Sequence, residues 1–301
     1  MSIQKLLWDE KNWLREFKAA STFFDSVKLH SLRELVFRHT QACCCNGGYE
    51  TALGKVTLQP PLESTVYSER ILLDQQKKRG GHKINIEILN EDCLKTAFDH
   101  KEMSPLVLNM ASSSCPGGGV ERGSAAQEEC LFRSSNYYQT MYPLKKKFYP
   151  LNKNYGAVYS PSVTIFRGLE EEGYPLLEKP FDVSMLAVAA VNRPQLDSYG
   201  DYTKAEKNQT VNKIKTILNV AMERHHMNLV LSAFGCGAFK NPPEKMAMLF
   251  KEILSSEPYA SYFENIYFSI KWDSVNKNFK AFSKVFLEEG DQQNQSDKIK
   301  F

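Results

Sequence analysis

The chain has 301 residues, 42% hydrophobic and 12% aromatic, with a formal net charge of +3, enough for one large or two modest packed domains. The small charge gives no ground for an obligatory nucleic-acid or anionic-membrane partner, and no apolar run approaches the ~20 residues that span a bilayer. Seven cysteines, an odd set without regular spacing, argue against a disulfide framework.

The opening M-S-I-Q-K-L-L-W-D-E mixes charges with apolar residues instead of forming a signal-peptide core. An intracellular chain, cytoplasmic or nuclear, is expected, with delivery to another cell by a secretion system left open. From about Trp8 to Gln41, Leu14, Phe17, Phe23, Phe24, Val27, Leu29, Leu32, Leu35, Val36 and Phe37 recur at three- and four-residue steps. This predicts two or three amphipathic helices, the last capped by Ser31 with Glu34 at the capping-box position. Cys43, Cys44 and Cys45 have no C-x-x-C or H-x-x-x-H partner nearby and read as structural or incidental. Gly47 and Gly48 end the helical pattern, and Thr51 to Tyr67, around Pro60 and Pro61, reads as a small hairpin or edge strand.

Lys83 to Leu89 alternates in strand period and leads into a helix-like Cys93 to Ala97. Further strands are expected at Pro105 to Leu108, Tyr159 to Phe166, Val183 to Ala190, Leu229 to Ala233 and Ile266 to Ile270, and helices at Gln127 to Tyr138, Ala205 to His225 and Pro243 to Leu254. Strands alternating with helices imply a mainly parallel or mixed sheet covered on both faces. The expected organisation is a helical extension over 1–80 packed on the core, a sheet domain over 81–287, and a polar tail over 288–301.

Two glycine loops follow buried strands. In the first, Gly117, Gly118 and Gly119 let the backbone approach a sugar or phosphate and adopt positive φ. The second, Gly235 to Phe239, precedes a helix opened by Pro242 and Pro243, where backbone N–H groups suit a pyrophosphate. Neither has the G-x-G-x-x-G register or the Lys-Ser/Thr end of a P-loop, and each could serve only as a turn. Ser124 to Gln127 reads as a capping box, which sets the helix start at Ser124 and puts Gln127, Glu128 and Glu129 in the first turns. Adjacent glutamates on a helix point about 100° apart, so one can hold substrate while the other handles protons. The positive helix end favours their ionised forms, whereas burial and mutual repulsion favour protonating one. Glutamates in a first turn are also common as plain electrostatic support for a helix.

The glycine triplet, seven residues and then Gln127-Glu128-Glu129 resemble the G-G-G-x(6-8)-Q-E-E signature of poly(ADP-ribose) glycohydrolases, and the A-x-x-x-x-P-G-G-G opening from Ala111 is similar to the compact bacterial-type branch. Leu131 to Tyr138 resembles that branch's continuation. Ala189 to Pro194 (A-A-V-N-R-P) resembles its A-A-P-N-R turn with Val191 in place of proline, and Phe234 to Asn241 (F-G-C-G-A-F-K-N) resembles its W-G-C-G-x-F-x-N loop. The likeness runs from about Leu14 to Phe282.

That resemblance implies a three-layer α/β/α macrodomain with a mixed central sheet and an N-terminal helical extension. It implies Glu129 as the catalytic carboxyl, Glu128 as a ribose-orienting neighbour and Gln127 as a residue that fixes the loop. Gly117, Gly118 and Gly119 would cradle ribose and diphosphate, with Val120 and Asn109 among the binding residues. Gly235, Cys236, Gly237, Ala238 and Phe239 would close over the diphosphate, Phe239 lying against the ribose, and Asp92 is a candidate adenine contact. The implied reaction is hydrolysis of the ribose–ribose O-glycosidic bond with release of ADP-ribose, Glu129 acting as general acid and then base. The expected partner is ADP-ribose or poly(ADP-ribose) on modified proteins, with no metal or cofactor, no membrane, and a monomeric chain. A hydrolase of single ADP-ribose on arginine or serine, and a non-catalytic ADP-ribose reader, are the alternatives. Cys115 and Cys236 lack a nearby histidine for thiol or zinc chemistry. His82, His100, His225 and His226 read as surface or helix-end residues.

Overall fold

A computed structural model describes residues 8–72, 83–271 and 277–287; His82 and the expected polar tail lie outside the described residues. The chain opens with two helices, α1 (Glu10–Thr22) and α2 (Ser26–Cys45), capped by the side chains of Asp9 and Asp25. Asp25 accepts from Lys28 N–H at 2.9 Å, the usual way to satisfy an orphan donor of the first turn. Ser31 is therefore not a cap. The break falls earlier, at Phe24, whose φ of 54° ends α1, and apolar periodicity alone could not show it because Val27 and Leu29 already continue the pattern.

A hairpin follows, β1 (Gly48–Thr51) and β2 (Gly54–Thr57), paired antiparallel. Gly48 is required there, since a Cβ would stand 2.1 Å from the Val56 carbonyl oxygen. Next come β3 (Thr65–Tyr67), β4 (Asn85–Leu89), α3 (Cys93–Asp99) and β5 (Leu106–Met110). Beyond the glycine triplet lie α4 (Gln127–Ser134), α5 (Tyr137–Met141) and α6 (Lys145–Phe148). The expected single helix over 127–138 is thus two. Ser135 is fully extended between them (φ −147°, ψ 174°) and bridges Ile165.

The remaining elements are β6 (Ala157–Arg167), β7 (Leu176–Val188), α7 (Lys204–Glu223), β8 (Asn228–Leu231), α8 (Pro243–Leu254), β9 (Asn265–Ser269) and α9 (Lys277–Phe286). β7 starts seven residues before the expected Val183. Its first half is half-buried to exposed and carries no buried alternation. α9 was not anticipated, although Phe279, Phe282 and Phe286 stand at helical spacing.

Seven strands form one mixed sheet in the order β3-β6-β7-β5-β8-β9-β4, the macrodomain-type α/β arrangement expected. β5, β8, β9 and β4 pair in parallel. β6 and β7 are sequence neighbours in the sheet joined by only eight residues, and so short a link suits antiparallel strands.

By internal contacts the chain divides into two compact units. The first comprises the chain up to Val66, Ala111–Leu151 and Val158–Ala187. Trp13, Leu32, Val36 and Tyr174 form one of its core clusters, and Cys43, Cys44, Tyr49, Leu58 and Phe166 another. The triple cysteine thus contributes two packed thiols, and no disulfide joins any of the seven cysteines. The second unit comprises Tyr67–Met110, Asn152–Ala157 and the chain from Val188. Its inner strands β5, β8 and β9 are buried along most of their length, as strands covered on both faces are, and Phe268 packs edge-on against Phe250 at 5.4 Å.

Candidate active site

Residues 115–124 of the first unit are a run of tight turns. Gly118 N–H donates to the Cys115 carbonyl, Val120 N–H to Gly117, and Arg122 and Ser124 N–H to Gly119, at 2.9–3.2 Å. Gly117 and Gly118 have φ of 78° and 53°, a region that side-chain-bearing residues rarely adopt. Gly118 also lies directly on the carboxylates: a Cβ there would stand 2.6 Å from Glu129 Oε1 and 3.2 Å from Glu128 Oε2. Val120 is buried, and its Cγ1 would lie 3.2 Å from a Cβ on Gly117, so it packs beneath the loop.

α4 presents the two glutamates from a start later than the capping box predicts. Its N-cap is Ala126, which supplies no side-chain bond, and Gln127 is the first helical residue. Ser124 instead packs against Gly119, and its carbonyl accepts from Arg133 Nη1 at 2.7 Å. Glu128 and Glu129 therefore occupy the second and third helical positions, close enough to the N-terminus for both to bend back onto the glycine loop. Gln127 is half-buried beside them.

The two carboxylates are used differently. Glu128, 3% exposed, accepts from Ser112 N–H at 2.7 Å through Oε2 and from Gly117 N–H at 3.1 Å through Oε1. Both of its oxygens tie the loop to the helix. Glu129, 7% exposed, accepts from Gly119 N–H at 2.8 Å through Oε1, while its Oε2 is buried and has no partner among the described residues. Leaving such an oxygen unpaired costs about 1–3 kcal/mol, a cost that a bound hydroxyl or water would remove.

The helix is held from behind by two buried cations. Arg133 donates to Tyr174 Oη at 2.8 Å and to Cys130 Sγ at 3.3 Å. Its own carbonyl accepts from Thr40 Oγ1 at 2.6 Å, and Thr40 Oγ1 accepts from Arg167 Nε at 2.9 Å. Arg167 also donates to the Tyr174 carbonyl and to His39 Nδ1, and burial lowers its pKa to about 10. Thr40 of α2 thereby joins the last turn of α4 to β6. This support was not anticipated: Arg133 was read only as part of the Leu131 to Tyr138 run, and Arg167 belongs to no motif.

Tyr149 is a further residue that sequence reasoning missed. Its phenol oxygen is buried without a partner among the described residues. Burial first, and then the nearby Glu128 charge, push its pKa up, which places the hydroxyl in the field of the carboxylate pair. A lone tyrosine after a lysine run gives no local signal.

The second unit contains the other expected site residues. Gly235, at φ 71°, could not carry a side chain, because a Cβ would meet Ala190 Cβ at 2.4 Å and Asn241 Nδ2 at 2.6 Å. Asn241 Nδ2 donates to the Val191 carbonyl at 2.7 Å and to the Gly235 carbonyl at 3.1 Å, and its Oδ1 accepts from Tyr202 Oη at 3.0 Å. Arg193 N–H donates to the Phe239 carbonyl at 2.7 Å. The 189–194 turn and the 234–241 loop are thus one hydrogen-bonded piece, fixed without a proline at position 191. Gly237 and Ala238 are exposed and Phe239 half-buried. Cys236 is buried, which pushes its thiol up to about 12, so it is protonated at neutral pH and is a poor nucleophile. Asn109 is buried in β5. Asp92 caps α3, accepting from Leu94 N–H at 2.9 Å, which is a structural duty. Among the described residues no three His, Cys, Asp or Glu side chains group as a metal site, and no helix is long and apolar enough to cross a membrane.

A mixed α/β sheet protein in which a positive-φ glycine loop feeds backbone N–H groups to two adjacent buried glutamates is a macrodomain-type protein with a carboxylate centre. The catalytic-domain model of microbial-type PARG matches residues 38–168 of the chain. The chain is similar to the poly(ADP-ribose) glycohydrolase structure from Thermomonospora curvata, at 28% identity and a TM-score of 0.71 over 84% of this chain and 99% of that one. The same enzyme bound to the inhibitor ADP-HPD matches at 27% identity and 0.71 over the same shares. The Deinococcus radiodurans enzyme in complex with ADP-ribose matches at 27% identity and 0.59, over 70% of this chain and 87% of that one. No curated protein sequence matches the chain.

Proposed function

We propose that this chain is a poly(ADP-ribose) glycohydrolase that hydrolyses the ribose–ribose O-glycosidic bond and releases ADP-ribose, with Glu129 as the catalytic carboxyl. The observation that carries the assignment is the unequal use of the two glutamates. Glu128 has both oxygens committed to backbone N–H groups, so it orients the loop and the ribose that rests on it. Glu129 keeps Oε2 uncommitted, and that is the atom left to carry a transferred proton.

In the forward step Glu129 gives its proton to the oxygen leaving the anomeric carbon as an oxocarbenium-like centre develops. The resulting carboxylate then takes a proton from the attacking water, which restores the acid. Gly119 N–H holds the other oxygen throughout and fixes the aim of the group. The 235–239 turn, made rigid through Asn241, is proposed to take the diphosphate on its exposed backbone. The substrate is ADP-ribose polymer on modified proteins, and the chain acts as an intracellular monomer.

The test is chromatography of ADP-ribose released from poly(ADP-ribose) and from proteins carrying single ADP-ribose on serine or arginine, with Glu129→Gln as control. Glu129-dependent shortening of chains to free ADP-ribose is the expected result. Release from mono-modified protein alone would make the chain a mono-ADP-ribosylhydrolase, and tight binding without release would make it a reader.

A further inference from the structure

Residues 142–151 form a strap tied to the glycine loop at both ends. Tyr142 Oη donates to Glu121 Oε1 at 3.1 Å, two residues beyond Gly119. Leu151 N–H donates to the Ser113 carbonyl at 2.8 Å, next to the Ser112 that holds Glu128. The Tyr142 ring also packs on Phe132 at 6.0 Å, the ring that a Cβ on Gly117 would strike at 2.8 Å. The strap is therefore tied to the loop within two residues of Ser112 and Gly119, whose N–H groups hold the carboxylates.

Between the two ties, α6 exposes Lys145, Lys146 and Lys147 in succession. Among the described residues none of the three makes an ion pair or a hydrogen bond. A four-residue helix has too small a dipole to call for three cations at its end. Three adjacent, uncompensated positive charges on a fixed strap make a local field that attracts a polyanion.

We propose that Lys145, Lys146 and Lys147 form a docking surface for the diphosphates of poly(ADP-ribose) units that neighbour the one being cleaved. The inference rests on the glycohydrolase reading and deepens it, since it names the polymer as the preferred substrate over a single protein-bound ADP-ribose. A mono-modified protein has one diphosphate, and the cleavage site takes it. A polymer carries two negative charges on every further unit, and these need a cationic surface near the carboxylates. Nucleic acid is also a polyanion, but nothing ties a nucleic-acid strand to the glycine loop, whereas a polymer engaged at Glu129 is held beside the strap.

The experiment compares the full chain with the triple variant Lys145→Gln, Lys146→Gln, Lys147→Gln, all exposed positions, with thermal melts confirming that the fold is kept. Initial rates of ADP-ribose release are measured on a long polymer and on a two-unit substrate at several salt concentrations. For the long polymer the variant's KM should rise about tenfold at low salt, with kcat unchanged and a shallower dependence of log KM on log salt, because fewer counterions are released on binding. The two-unit substrate should shift less than about twofold. Equal shifts for both substrates, or none, would overturn the proposal while leaving the glycohydrolase reading intact. So would a variant that loses affinity for single-stranded RNA while its polymer KM is unchanged. Absence of release from either substrate by the unaltered chain would overturn the glycohydrolase reading and the docking surface with it.

Discussion

Gly119 N–H donates to Glu129 Oε1 at 2.8 Å, while the other oxygen of that carboxyl is buried without a partner among the described residues. One half of the group is held and the other half is left for chemistry. Replacing Glu129 by Gln keeps an oxygen for Gly119 and turns the open position into an amide that cannot shuttle a proton. Glu129→Gln should lower kcat by about 10²–10⁴ and leave the melting temperature and ADP-ribose binding in place. Glu128→Gln should behave differently, because its amide NH₂ must face either Ser112 N–H or Gly117 N–H. That opposed donor pair should cost about 1–3 kcal/mol, seen as a lower melting temperature along with weaker binding. Calorimetry and steady-state kinetics on both variants separate the two roles, and equal effects in every readout would refute them.

Gly118 is the second sensitive point. An alanine there needs φ near 53° and places its methyl 2.6 Å from Glu129 Oε1. The backbone strain alone is about 1 kcal/mol, a modest loss for a domain of this size, whereas the displaced carboxyl loses its alignment with the glycosidic oxygen. Gly118→Ala should therefore reduce kcat by about a hundredfold with a fall in melting temperature of only a few degrees. A variant with full activity would show that the loop does not set the aim of Glu129.

Much of this was legible in the sequence, for physical reasons that differ from element to element. β4 and β9 were readable because β-branched and aromatic residues alternate or cluster there within short bounded runs. The G-G-G and Q-E-E run was readable because backbone approach and proton transfer each demand particular residue types at fixed spacing. What was misplaced depended on tertiary contacts. Ser31 looks like a cap, yet the chain reverses earlier, at Phe24, and Asp25 takes the role. Ser124 looks like a cap, yet its carbonyl is claimed by Arg133, nine residues on, and the helix starts at Gln127. Arg167 and Thr40 were invisible because their partners lie far away in sequence, Arg133 because its Tyr174 and Thr40 contacts do, and Tyr149 because the burial of a lone phenol has no local signature.

The Arg33–Glu170 pair links α2 to the 3₁₀ turn at Glu170–Glu172 through two bonds of 2.8 and 2.9 Å. Burial pushes the Glu170 carboxyl up, but the hydrogen bond and charge of Arg33 outweigh it, with Arg133 and Tyr174 adding, and hold the group below its ordinary value of 4.5. A carboxyl depressed in the folded state gives stability that is fully present above its unfolded value and is lost as pH falls through the folded one. Glu170→Gln should lower the melting temperature at pH 7 by the equivalent of about 1 kcal/mol. The gap to the unaltered chain should close as the pH is taken below 4.5. A gap that persists at low pH would mean that the side chain contributes by packing and not by charge.

Tyr149 separates a structural hydroxyl from one that waits for a ligand. Its ring sits on the strap whose next turn is held by Leu151 to Ser113, and its oxygen is buried and unpartnered among the described residues. A hydroxyl that supports the fold costs about 1 kcal/mol when removed, because a hydrogen bond goes with it. Among the described residues there is no such bond to lose, so Tyr149→Phe should leave the melting temperature unchanged or slightly raised. If the phenol donates to a substrate oxygen beside Glu128, the same variant should raise KM or lower kcat by about tenfold, the value of one hydrogen bond to a ligand. A drop in stability with normal kinetics would assign the hydroxyl to the fold, and unchanged stability with impaired kinetics would assign it to the carboxylate site.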